Sequence, residues 1–275
     1  MNGETDALYR ASRRTILEVF RALEAHRDAL TLVGAHALYQ FTGASELAIV
    51  EFTSDADFTI SAQIIAKEPH LEEALLTHGF ERHRDVGRWV SPTGIPIDLM
   101  VPEAIAGPKR KPTSRSAVIE GHGRSIARRT KGLEGALVDR VWKTIGDLDD
   151  PSSKGIEAWI AGPGALLVAK CHKIFERLEY RDRLRDKDAL DLFRLLQAVE
   201  TDDLALRLNI LRNSELAGSV TQEGIEQFRV MFSERSAPGI AMAHRLGEEV
   251  DAGDFIATSF VLLAGKLLRK LDNFA

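Results

Sequence analysis

The chain has 275 residues, 44% of them apolar and 28% charged, with a net charge of −5. That suits one large or two moderate globular domains and excludes a global electrostatic pull toward nucleic acid. No apolar run approaches the roughly 18 residues that span a bilayer, and the lone Cys171 excludes an internal disulfide and a cysteine-cluster zinc site. The opening Met1-Asn2-Gly3-Glu4-Thr5-Asp6 is polar and acidic, unlike a signal peptide, so a cytosolic (cytoplasmic) protein without a membrane partner is expected.

In chain order, Thr15-Ile16, Val19-Phe20 and Leu23 recur at helical spacing, so residues 5–27 are expected as an amphipathic helix. Leu30-Thr31-Leu32-Val33 is a short apolar run stopped by Gly34, and the helix formers from Ala35 to Phe41 follow up to Gly43. That reads as a strand, a glycine turn and a helix. Residues 47–60 read as a strand region and 69–79 as a helix ending at Gly79. Arg88-Trp89-Val90 and the run from Ile95 to Val101 read as two strands about the turn Ser91-Pro92-Thr93-Gly94. Further strands are expected near 116–120, 124–128 and 136–145. From Pro163 helical patterns take over, at 163–180, 186–199, 222–233, 238–249 and 253–272.

A mixed first half and a helical second half imply an α/β (α+β) protein with two lobes. The breakers Asp149-Asp150-Pro151-Ser152-Ser153 and Gly162-Pro163-Gly164 place the boundary between Gly146 and Pro163. Residues 1–155 are expected as the α/β domain and 156–275 as the helical domain.

The chemistry-bearing feature is Thr53-Ser54-Asp55-Ala56-Asp57-Phe58. In an extended segment residues two apart project to the same side, so Asp55 and Asp57 would share one face. Two adjacent carboxylates repel unless a cation lies between them, which points to a divalent metal. Taken alone, the same pattern equally describes a solvated polar turn. Asp98, in Pro96-Ile97-Asp98-Leu99-Met100, is a single acid in an apolar strand, costly there unless paired, on a metal or at a wet strand end. Three hard oxygen ligands from neighbouring strands match Mg²⁺ or Mn²⁺. Between Lys109 and Lys131, eight Lys and Arg residues face the single Glu120; this is either a polyanion-binding patch or a solvated connection.

Leu32-Val33-Gly34-Ala35-His36, then Thr53-x-Asp55-x-Asp57-Phe58, then Ile97-Asp98-Leu99, resembles the nucleotidyltransferase superfamily that includes DNA polymerase β. The run from Leu166 to Lys173, with Asp186-Lys187-Asp188-Ala189-Leu190-Asp191-Leu192, resembles the AbiEii/MenT-type toxin nucleotidyltransferases within it. The likeness covers residues 28–200. It implies a nucleotidyltransferase-type mixed sheet flanked by helices, and two Mg²⁺ (or Mn²⁺) ions held by Asp55, Asp57 and Asp98, the last also able to take the acceptor's proton. It further implies that Lys170 contacts the triphosphate, that Asp188 orients Lys170 or engages the base or acceptor, and that Lys187 and Asp191 play lesser parts. Gly34, Ala35, Thr53 and Ser54 would face phosphate oxygens. Two departures stand out: Ala35 replaces the usual Gly or Ser, and an insertion around Gly43–Phe52 lengthens the spacing to Asp55. Neither removes a metal ligand, and backbone N–H groups at a helix start still bind anions.

The implied function is Mg²⁺-dependent transfer of an NMP from an NTP to an RNA hydroxyl, a tRNA 3′ end in particular, by the toxin of a toxin–antitoxin pair with a cognate antitoxin. Transfer to a small molecule or a protein hydroxyl, or a non-catalytic nucleotide-binding role, remains open. No P-loop, dinucleotide fingerprint, His-Glu-x-x-His or Gly-x-Ser-x-Gly occurs. His36 and His172 are read as packing or polar-surface residues, and the pair Trp142 and Trp159 as core or lobe-interface residues.

Overall fold

The computed structural model describes residues 3–43, 53–150, 152–178 and 186–274. They form two compact units: Met1–Ala37 with Phe52–Ala161, and Leu38–Glu51 with Gly162–Ala275.

The first unit begins with helix α1 (Gly3–Ala22) and a 3-10 helix (Glu24–Ala29), so the expected single helix over 5–27 ends early. Strand β1 (Leu30–Val33) runs straight into helix α2 (Gly34–Thr42), as the glycine turn suggested. Then come β2 (Ala56–Ile60), α3 (Leu71–Thr77), β3 (Glu81–Arg82), β4 (Arg88–Val90) and β5 (Pro96–Pro102). β6 (Ser116–Ile119), β7 (Gly123–Thr130), β8 (Arg140–Ile145) and β9 (Ile156–Ala161) complete one mixed sheet. Residues 44–52, including much of the expected insertion and the start of the 47–60 strand region, lie outside the described residues.

The strand order is β3-β4-β5-β2-β1-β9-β8, with β7 joining β5 and β6 pairing β7. β1 pairs antiparallel with β2 and parallel with β9, and β2 pairs parallel with β5. Leu30, Leu32, Phe58, Ile60, Ile97 and Leu99 occupy matched ladder positions on one side of the sheet and are fully buried. Phe20 of α1 meets Phe58 edge-on at 5.3 Å, fixing α1 to that apolar side. Each such side chain, fully withdrawn from water, contributes about 1.5–3 kcal/mol.

β9 corrects the expected domain boundary. Residues 156–161 were assigned to the helical domain, but they pair in register with both β1 and β8 and belong to the sheet. The breaker Pro163 does not end anything: it is the first residue of α4, where its missing N–H costs no helical hydrogen bond.

The second unit is helical: α4 (Pro163–Leu178), α5 (Asp186–Ala198), α6 (Thr201–Arg212), α7 (Gly218–Phe232), α8 (Pro238–Glu248) and α9 (Gly253–Asp272). Of these, α6 was missed from sequence; its apolar and polar residues are poorly segregated, although Leu204, Leu208 and Leu211 are buried. The core is aromatic, with Phe232 stacked on Phe260 at 4.6 Å and Phe193 tilted against Phe260 at 5.5 Å.

Candidate functional site

The first unit carries a cross-strand row of unusual composition. Val33 of β1 pairs with Asp57 of β2, Asp57 with Asp98 of β5, and Asp98 with Arg88 of β4. Matched positions in a ladder share one side of the sheet, so Asp57, Asp98 and Arg88 lie side by side opposite the apolar face that α1 covers. Asp98 is buried, with only 8% exposure.

Gly34, the first residue of α2, sits against this row. Its φ is +71°, and a Cβ there would collide with the Asp57 carboxylate. Only glycine satisfies both constraints. The turn from β1 into α2 therefore brings the start of a helix up to Asp57. Ala35 is buried in the first turn of α2, and its neighbour His36 is a packing residue as expected: Nε2 meets Ser12 Oγ at 2.7 Å and Tyr9 stacks on the ring.

Asp55 departs from the simple alternation argument. β2 starts at Ala56, and Asp55 stands in the bend before it, accepting a 2.7 Å hydrogen bond from Thr53 Oγ1. That local side-chain bond holds the chain out of the extended conformation the alternation rule assumes. Thr53 is buried, and its carbonyl accepts from Ser12 Oγ at 3.1 Å; Ser54 is half-buried in the same bend.

Arg88 and Arg128 are the residues that sequence reasoning missed at this site. Asp98 Oδ1 accepts from Arg88 Nε at 3.1 Å, and Oδ2 accepts from Arg128 Nη2 at 3.2 Å and Arg88 Nη2 at 3.5 Å. Burial opposes the charge on Arg88, but Asp98, Asp55 and Asp85 outweigh it and raise the guanidinium pKa. The signal in sequence was faint: Arg88 precedes Trp89 in an ordinary strand, and Arg128 was hidden within a basic run.

The basic run is neither a uniform patch nor a loose connection. Arg129 donates to the carbonyls of Ser116, Ala106 and Gly107, and Lys109 pairs with Glu103 at 2.6 Å. Arg110, Lys111 and Arg124 are exposed. Trp142 and Trp159 also differ from the packing expectation: they meet edge-on at 5.0 Å, with Trp142 exposed on the outermost strand β8 and Arg140 over the Trp159 ring.

The donor set at the acidic row is carboxylate and hydroxyl oxygen, which suits Mg²⁺ or Mn²⁺, and the Asp57–Asp98 register supplies two carboxylates on one face. Among the described residues, however, no group of three or more His, Cys, Asp or Glu side chains is arranged to hold a metal ion. Both Asp98 oxygens accept from the arginines. The backbone positions fit a divalent cation; the Asp98 side chain is arranged for guanidinium.

In the second unit, Lys170 of α4 is 4% exposed, and its Nζ donates to Asp188 Oδ1 and Asp191 Oδ2, both at 2.7 Å. Asp188 also meets Arg177 at 3.1 Å and Lys173 at 3.3 Å, and Asp191 accepts from Tyr39 Oη at 3.2 Å. Burial pushes the Lys170 pKa down, but the two carboxylates more than reverse this and raise it. For Asp188, burial pushes the pKa up, while Lys170, Lys173 and Arg177 drive it well below the usual carboxylate range.

Two expectations are corrected here. Lys170 is not a free phosphate ligand, because its ammonium is committed to two carboxylates inside the helical core. Asp191, expected to play a lesser part, is a fully buried acceptor for Lys170 and Tyr39. Asp188 accepts from Lys170 Nζ, the partner that one of its two expected roles names. Lys187 lies 5.9 Å from the Tyr39 ring centre. His172 is a packing residue, its Nε2 hydrogen-bonded to the Val220 carbonyl at 2.8 Å.

The fold and this row define a mixed α/β protein with paired strand carboxylates beside a helix start. No family model, no curated protein and no solved structure matches the chain. No described helix is long and apolar enough to cross a membrane.

Proposed function

We propose that this protein is a divalent-metal-dependent nucleotidyltransferase that moves an NMP from an NTP to an acceptor hydroxyl on RNA. The observation that supports it best is the ladder pairing of Asp57 with Asp98 beside Gly34, the residue that opens α2. Asp55, Asp57 and Asp98 would hold Mg²⁺ or Mn²⁺. When bound, such ions neutralise phosphate charge and polarise the reacting oxygens.

The chain's own residues do the rest. Backbone N–H groups at the start of α2 attract phosphate oxygens, a role that survives the Ala35 departure because it needs no side chain. Thr53 and Ser54 add hydroxyls next to Asp55. In this reading Asp98, with one oxygen released from its arginine donor, takes the proton of the acceptor hydroxyl as that oxygen bonds to the α-phosphorus and the bond to the β-phosphate oxygen breaks, releasing pyrophosphate. Lys170 and Asp188 join α4 to α5 and do not touch phosphate. Arg110, Lys111 and Arg124 favour an RNA acceptor through its backbone. A tRNA 3′ end, modified by a toxin that an antitoxin restrains, is the acceptor we infer.

The test is incubation of the protein with each labelled NTP, Mg²⁺ and total RNA, with Asp57→Ala as control. Label entering RNA with wild type alone supports the reading, as does growth arrest on expression that Asp57→Ala relieves. Absence of transfer from all four NTPs overturns it.

A further inference from the structure

Three histidines meet around the segment of residues 61–70 that joins β2 to α3. His26 comes from the 3-10 helix, His122 from the turn between β6 and β7, and His70 from the end of the segment itself. The His122 ring lies edge-on to both others, 5.3 Å from His26 and 5.7 Å from His70. His26 and His122 are buried, whereas half of the His70 side chain reaches water.

The hydrogen bonds fix how the two buried rings are protonated. His122 Nδ1 accepts from the Leu71 N–H at 3.1 Å, and its Nε2 donates to the Ala66 carbonyl at 2.8 Å. One ring nitrogen is an acceptor and the other a donor, which is the neutral imidazole. A proton added at Nδ1 turns that acceptor into a donor and breaks the bond to Leu71. His26 Nε2 donates to the Pro69 carbonyl at 2.8 Å, while its Nδ1 is buried with no hydrogen-bond partner. A proton there would bury a charged N–H with nothing to accept it. Three backbone groups, at Ala66, Pro69 and Leu71, therefore hang on two neutral rings.

The surrounding charges do not favour a charged ring. Among the described residues of the elements packed here, Glu68 alone forms an ion pair with one of the three rings, His70, at 3.6 Å. Glu72 is taken by Arg82, and Arg140 donates to the Asp28 carbonyl. Arg21, Glu24, Asp28, Lys67, Glu73, Glu120, Arg124 and Glu157 are exposed, and Glu18 and Arg27 are half-buried. Burial pushes the His26 pKa down more than the bond to Pro69 raises it, and the neighbouring His122 pushes it down further. A folded pKa below the unfolded value of about 6.5 means that this contribution is complete above that pH and is lost as pH falls below it.

We propose that His26 and His122 form an acid-released latch that holds residues 61–71 closed while both rings are neutral and frees them when the rings are protonated. The other anchor of the segment is the Ser61 N–H on the Ala29 carbonyl at 2.8 Å, a bond with no titrating group, so the segment stays tethered at that end. The latch does not depend on nucleotidyl transfer.

The experiment is amide hydrogen exchange on the full chain, with intrinsic rates corrected for pH. Between about pH 7.5 and about pH 5, protection of the Leu71 amide is expected to fall by about tenfold, since an opened histidine takes a proton that the closed one refuses. The Leu99 amide, bonded to the Gly87 carbonyl at 2.7 Å within the sheet, is expected to change by less than about twofold. His26→Gln combined with His122→Asn keeps a donor toward Pro69 and an acceptor toward Leu71 but cannot titrate, so protection should stay flat over the same range. His70→Gln, at the exposed ring, should leave the wild-type response in place.

Leu71 protection that does not change with pH in wild type overturns the latch, as does a double variant that keeps the wild-type response. A response abolished by His70→Gln assigns the effect to the exposed ring and overturns it too. Leu99 losing protection in step with Leu71 is acid unfolding of the whole sheet and has the same consequence. Circular dichroism shows whether the double variant is folded; if it is not, His122→Asn alone carries the comparison, and an undiminished response there counts against the latch.

Discussion

Each unit of the molecule contains a carboxylate held by cations, and the two are built to opposite ends. In the helical unit Lys170, Asp188 and Asp191 are 5%, 6% and 0% exposed at the side chain, joined by 2.7 Å hydrogen bonds. In the sheet unit Asp98 meets Arg88 and Arg128 at 3.1–3.5 Å, and both guanidiniums reach water. The first cluster is almost wholly withdrawn from water. The second has longer bonds, wetter partners and a second acid, Asp57, at the next ladder position. Charge pairing alone therefore does not mark a functional site. What sets the sheet-unit pair apart is that its arginines are part-exposed and that a second acid, Asp57, stands at the next ladder position.

That contrast can be broken most directly in the helical cluster. Lys170→Met leaves Asp188 and Asp191 buried without their shared cation and is expected to cost about 3–5 kcal/mol in urea unfolding. A loss below about 1 kcal/mol would show that the cluster is not the closed unit described. Asp57→Asn is expected to do the reverse, abolishing labelled-NMP transfer while moving the urea midpoint little. Its half-buried side chain, which stands against Gly34, keeps its shape in the amide.

Gly34→Ala tests the contact between α2 and the acidic row. It forces a left-handed φ on alanine and drives a methyl into Asp57, so about 1–3 kcal/mol of stability should be lost. Transfer activity should fall with it, since Asp57 must shift. An unchanged thermal midpoint would contradict the close approach.

The pH dependence sharpens the same comparison. Asp188 has a folded pKa below its unfolded value of about 4, so its contribution is complete above that pH and is lost as pH falls below it. Lys170 has a folded pKa above its unfolded value of about 10.4, so its contribution is complete below that and is lost as pH rises further. Urea midpoints should therefore drop at both extremes in wild type. In Lys170→Met the alkaline loss should vanish, and much of the acid loss with it. The smallest effect is expected at Lys109→Ala, which breaks a part-exposed pair with Glu103 and should cost no more than about 1 kcal/mol.

Much of this molecule was legible in the chain. The order strand, glycine, helix from Leu30 to Thr42 follows from a β-branched apolar run, one residue free to take positive φ, and a run of helix formers. The turn at Ser91–Gly94 and the strands on either side follow from turn chemistry in the same way. These are local effects, encoded within a few residues of where they act. The types and spacing of Asp55, Asp57 and Asp98 were visible too, along with the separation of a mixed half from a helical half.

Pairing partners were not visible, because they are set by which strands lie together. β9 was placed with the helical domain because the breakers around Pro151 and Gly162 bracket it, and only its fit against β1 and β8 makes it a strand of the sheet. Lys170 looked like a triphosphate contact because helical spacing does not say how deep a face is buried. Arg88 lies ten residues from Asp98 in sequence, yet the antiparallel register of β4 and β5 places them side by side. The sequence by itself determined the local elements and the acids they carry. Tertiary structure decided which of those charges is sealed and which has part-exposed partners, because burial and cross-strand register are properties of the packed chain and of no short segment within it.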